Sequence, residues 1–142
     1  MLDTDKFIGI PHVFNGHSFD GCDCIGLCRL FYKEQGWKQR FWDNKEKITE
    51  DNKGEKETWL RLYKYLGRHF KRVRKPEDME EGGIVVFNIE GDLHLGIYAG
   101  RGNILAMEVP VVYGKTRSTL YHSDVWRVAF VRGYNRKCNS YL

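Results

Sequence analysis

At Pro76 the spacing of apolar residues changes from a helical period to a period of two, and no other feature restricts the fold as tightly. Upstream, Cys24, Leu27, Cys28 and Phe31 fall at i, i+3, i+4 and i+7, one face of a helix. Asp23 is suited to cap its start and Gly36 to end it, which predicts a helix over about Cys24–Gln35. Trp59, Leu62, Tyr63 and Leu66 form the stripe of a second helix over residues 57–70. Residues 7–14 read as a short extended segment broken by Pro11, with turn signals at Asn15-Gly16 and Asp20-Gly21. Downstream, strands are predicted over residues 84–87, 93–99, 103–112 and 125–134, most of them separated by glycine-containing turns. Helices first and strands after predict an α+β fold, with N-terminal helices packed on an antiparallel sheet.

A chain of 142 residues that is 42% hydrophobic has enough for one core, and a single domain over residues 1–142 is expected. Within it, residues 38–75 are lysine-rich and then basic, and read as a helical insertion. Arg61, Lys64, Arg68, Lys71, Arg72, Arg74 and Lys75 are expected to form a solvated face. Trp37, Phe41, Trp42 and Trp59 are expected mainly in packing, with lining of a cleft as the alternative. The net charge of +4 is modest for a nucleic-acid binder, so no nucleic-acid partner is expected. No apolar run is long enough to span a bilayer. Residues 1–6 contain acids and no apolar stretch, so no signal peptide is expected, and synthesis is placed in the cytoplasm.

Of the four cysteines, Cys22, Cys24 and Cys28 crowd into seven residues, and Cys138 stands apart. Their spacing does not fit paired Cys-x2-Cys zinc knuckles, so no metal is expected. Cys22 and Cys28 read as small buried hydrophobes. Cys24 opens a helix, where backbone amides and the macrodipole favour an anion; its thiol pKa is therefore expected to fall. A thiolate there is a nucleophile, and the same amides suit an oxyanion.

A nucleophilic thiol needs a base. His69 sits among Arg68, Lys71 and Arg72 and reads as surface. His94 lies in an alternating strand, sharing one face with Gly96 and Tyr98, while Leu93, Leu95 and Ile97 share the other. A strand histidine packed across from a helix-borne thiol makes a Cys–His dyad, with Cys24 and His94 expected as an ion pair.

These residues carry a family resemblance. Gly9-Ile10-Pro11-His12, then Asp23-Cys24-Ile25-Gly26-Leu27, resembles the nucleophile region of NlpC-type cell-wall cysteine peptidases. The run from Pro76 through Asp78, Gly82 and Gly83 to Phe87 resembles the family's strand entry. His94-Leu95-Gly96-Ile97-Tyr98 resembles its His-Val-Gly-Ile-Tyr strand. The resemblance implies a papain-like fold, a Cys–His mechanism without cofactor, and cleavage of peptidoglycan stem peptides. Residues 113–118, Tyr121, Trp126-Arg127 and 131–134 are similar to NlpC-type domains of phage tail proteins. That implies a tail-tip location and tail-tip protein partners.

Where family members have tyrosine this chain has His12, a candidate donor to the thiolate or oxyanion. Where many have a polar third residue, often histidine, simple register places Ala106. A three-residue loop 100–102 would pair Ala99 with Asn103 and bring Glu108 opposite His94, making Glu108 a candidate third member; a four-residue loop would turn it away. Three functions stay open: a wall hydrolase, a structural tail component with a weak or inactive peptidase fold, and an amidase or acyltransferase using the same dyad.

Overall fold

The computed structural model describes residues 1–41 and 56–137. Trp42, Cys138 and the middle of the expected insertion lie outside the described residues. After a 3-10 turn at Asp5–Phe7 come two short paired strands, β1 (His17–Ser18) and β2 (Gly21–Cys22), and helices α1 (Cys24–Gln35) and α2 (Lys56–His69). Then follow β3 (Phe70–Val73), β4 (Ile84–Ile89), β5 (Asp92–Gly100), β6 (Asn103–Met107), β7 (Ser118–Tyr121), the single turn α3 (Ser123–Trp126) and β8 (Phe130–Arg136). The six longer-range strands form one antiparallel sheet in the order β3-β8-β4-β5-β6-β7. The α+β expectation holds.

Local chemistry accounts for α1. The Asp23 carboxylate accepts the Gly26 amide at 2.7 Å, which satisfies a donor that the helix itself cannot. Gly36 ends the helix at φ 70°, a conformation that a Cβ disfavours, and its amide returns to Lys33. Leu27, Cys28 and Phe31 are buried as their spacing requires, and Leu30 and Tyr32 join them. The Tyr32 hydroxyl donates to the Gly82 carbonyl and ties the helix to the entry of β4.

The sheet is covered on both faces. Ile84, Val86, Leu95, Ile97 and Leu105 meet α1 and α2 in the larger core. Val85, Phe87, Ile104 and Ala106 meet Val73, Met79 and Trp126 in a smaller one. Residues 84–87 of β4 therefore read as an unbroken apolar run. Trp126, 1% exposed, closes the second face and donates from Nε1 to the Gly102 carbonyl at 2.9 Å.

Several predicted bounds shift. The strand expected over 125–134 begins only at Phe130, because Ser123–Trp126 forms a helical turn that drives Trp126 into the core. The strand expected over 103–112 stops at Met107. Strands β3 and β7 lack a distinctive period of their own; they are fixed by pairing with β8 and β6. Arg61, Lys64, Arg68, Lys71, Arg72, Arg74 and Lys75 are all exposed, on the outer side of α2, on edge strand β3 and just beyond. Trp37, Phe41 and Trp59 are buried.

Candidate active site

The site starts at a clamp beneath the first turn of α1. Asp23 is 5% exposed, and its two carboxylate oxygens are both used: Oδ1 accepts from Gly26 and Oδ2 from the Asn15 amide at 2.8 Å. Asn15 adopts φ 62° to present that amide. The Asp23 amide donates to the Gly16 carbonyl at 3.2 Å. That carbonyl lies so near Gly26 that a Cβ there would sit 1.6 Å from it. The glycine in Asp-Cys-Ile-Gly is therefore a steric requirement. Burial raises the Asp23 pKa, while the Gly26 and Asn15 amides and the nearby His12 and His17 act to lower it.

Cys24 follows the clamp and is partly buried, in contrast to the fully buried Cys22 and Cys28. The Cys22 thiol donates to the Ser18 carbonyl at 3.1 Å, a structural role. The expectation of a lowered Cys24 pKa is corrected here. Burial and the adjacent Asp23 charge push the Cys24 thiol up to about 12, and the amides of Leu95, Ile25 and Cys24 itself only partly offset this. The helix start supplies its donors, but desolvation disfavours the anion more strongly. Burial therefore works against the thiolate at this helix start.

Strand geometry explains why the thiol meets β5 at Leu95. The Tyr98 amide donates to Gly83 on the β4 side, so by alternation the Leu95 amide turns toward β6. The β5–β6 ladder ends at the pair Gly96–Ala106. Beyond that pair the two strands stop matching, and the Leu95 amide serves the Cys24 sulfur. By register His94 shares its face with the smaller core, opposite Phe87, whose ring centroid is 5.5 Å from its own. Its place near the start of β5 lets it border the opening.

That opening is a cavity bordered by Cys24, His94 and His12 together. His12 stands edge-on to Phe14 at 4.9 Å, held by its amide on Thr116 at 3.0 Å. Three of the four candidate residues thus come together. Glu108 does not. The register of the ladder is the one that would bring it opposite His94, with a bulge near Ala99 absorbing the tighter turn. However, β6 ends one residue earlier, and Glu108 bonds to Arg117 through both its own amide (3.0 Å) and its carboxylate (2.9 Å). It is exposed and outside the cavity. Ala106 pairs with Gly96 and is buried in the smaller core.

Other cavity residues had no sequence signal as site residues. Thr58, Trp59 and Leu62 come from α2, and Met107, Pro110 and Val111 from the end of β6 and the loop beyond. Of these, only Trp59 is a cleft candidate from the sequence, as the alternative to packing. Asp92, two residues before His94, also borders the cavity.

The profile of the NlpC/P60 family matches residues 9–132. Among solved structures, the NlpC/p60 domain of the peptidoglycan hydrolase SagA superposes with a TM-score of 0.58 at 16% identity, covering 93% of this chain and 92% of that one. This supports the papain-like fold. No curated protein sequence matches the chain.

Proposed function

Since this chain belongs to the NlpC/P60 family, we propose that it is a cysteine peptidase that hydrolyses peptide amide bonds in bacterial peptidoglycan stem peptides, with Cys24 as nucleophile and His94 as general base. The observation that carries this reading is the delivery of Cys24 and His94 to one cavity, with the thiol against the amide of the residue after His94. The Cys24 proton passes to His94 and the sulfur attacks the carbonyl carbon. The C–S bond forms and the carbonyl electron pair moves to oxygen. Amides at the start of α1 stabilise that oxyanion, with His12 as a further donor. His94 then gives the proton to the leaving nitrogen as the C–N bond breaks. Water, losing a proton to His94, attacks the thioester and frees the thiol. The scheme uses no cofactor or metal.

The finer reading places the enzyme at a phage tail tip, within reach of tail-tip proteins, on the strength of residues 113–118, Tyr121, Trp126-Arg127 and 131–134. It includes synthesis in the cytoplasm and one domain over residues 1–142. One observation favours a second reading, a structural tail component of minimal activity: Ala106, apolar and buried, occupies the position where a third polar residue would support the base.

Incubating the purified protein with peptidoglycan separates the readings. New amines should appear with the native protein and fall at least about a hundredfold with Cys24→Ala or His94→Ala. No release, together with stable binding to tail proteins, would establish the second reading instead. Activity on lipid or protein amides but not on wall would point to an amidase or acyltransferase.

A further inference from the structure

The cavity beside Cys24 has a chemical character that the peptidase reading does not require. Its volume is about 260 Å³, just under the usual range for a drug-sized ligand, and so roughly the space of one or two residues. Phe14, Ile25, Trp59, Leu62, Met107 and Val111 border it. Asp92 and the imidazoles of His12 and His94 border it, the Asp23 carboxylate is buried and taken up by the Gly26 and Asn15 amides, and among the described residues no lysine or arginine borders it. The absence of a cation is not for want of basic residues nearby. Helix α2 carries Arg61, Lys64 and Arg68, but it turns them to solvent and presents Trp59 and Leu62 to the cavity.

A substrate carboxylate entering this space would lose water and find no lysine or arginine to pair with, while Asp92 stands at the border. An uncharged apolar group would gain contact with aromatic and aliphatic walls. We propose that the cavity is a specificity pocket for an uncharged, apolar group flanking the scissile carbonyl, and that Trp59 determines this preference. The substrate class follows: peptides whose residue beside the cleaved bond carries an apolar side chain or a neutralised carboxyl group, not a free carboxylate. The proposal rests on Cys24 being the reacting thiol, and its test is independent of peptide hydrolysis.

The test is the rate at which Cys24 is alkylated by iodoacetate, iodoacetamide and N-phenyl iodoacetamide. These place an anion, a neutral amide and an aromatic ring in the same position. Sulfur displaces iodide in each case, and the thiol proton leaves to solvent. Rates are measured at pH 8.5 by mass spectrometry of the Cys24 peptide, each relative to the rate on N-acetylcysteine. The expected order is N-phenyl iodoacetamide at least tenfold above iodoacetamide, and iodoacetate at least tenfold below it. Trp59→Gln should reduce the phenyl preference below threefold, while Trp59→Phe keeps it; a thermal melt establishes that both variants are folded. If Trp59→Gln does not fold, the wild-type order together with Trp59→Phe decides. Normalised rates within threefold, or a reversed order, overturn the pocket even if peptidoglycan is cleaved. The expected order without any amide hydrolysis upholds the pocket and removes the peptidase. Failure of all three reagents to label Cys24 overturns both.

Discussion

At the scale of single residues, Asp23 ties structure to chemistry. It caps α1, holds the Asn15 turn, and adds negative charge beside the reactive sulfur. Replacing it with asparagine keeps an acceptor but removes the charge. Asp23→Asn should therefore lower the Cys24 pKa, moving the pH profile of its alkylation to lower pH, while stability drops by about 1–2 kcal/mol from the weakened cap. Urea unfolding and alkylation rates from pH 6 to 10 check both parts. Gly26 makes a steric prediction. A methyl group there meets a backbone carbonyl at 1.6 Å, and Asp23 pins that carbonyl's turn in place. Gly26→Ala should cost on the order of 3 kcal/mol and misplace Cys24, so that urea unfolding and Cys24 labelling change together.

At the scale of elements, α2 does two jobs with two faces. Its outer face is cationic and solvated, and its inner face closes both the core and the cavity. Leu62 is 1% exposed and belongs to both. Leu62→Ala should destabilise by roughly 2–5 kcal/mol through the space it leaves, read by chemical denaturation. Cys24 alkylation by N-phenyl iodoacetamide should also lose selectivity in that variant. Strands β5 and β6 show a complementary division. They pair from the turn as far as Gly96–Ala106 and then cease to match, which leaves the Leu95 amide for sulfur. The end of the ladder thus helps to make the site.

At the scale of the whole molecule, two buried thiols and one partly buried thiol near one acid make stability sensitive to alkali. Burial pushes Cys22 and Cys24 up from 9.0 to about 12, and Cys28 well above its ordinary value. Between pH 9 and about 12 the unfolded chain has lost thiol protons that the folded chain keeps. The unfolded state then binds fewer protons, so the free energy of unfolding falls as pH rises. Stability should be level in these thiols below about pH 9 and decline above it, measured by urea unfolding under reducing conditions. Cys28→Ala should make that decline shallower. An unchanged slope would mean that the burial of this thiol does not carry the effect.

Whatever depends on neighbours along the chain is legible in the order of residues. The span of α1, its Asp23 and Gly36 ends, the β4 and β5 strands and the class of fold all follow from period, caps and turns. Cys24 and His94 are candidates from a helix start and an alternating strand, whereas His12 is a candidate only through the family resemblance. Packing between distant segments sets the rest. It sent Glu108 to Arg117, because β6 ends at Met107, a point that no local pattern marks. It made Ser123–Trp126 a helical turn, because burying an indole outweighs the extended preference of that stretch. It also pushed the Cys24 thiol pKa up: helix-start amides are visible in sequence, but the loss of water around the sulfur arises only when α1 and β5 pack together.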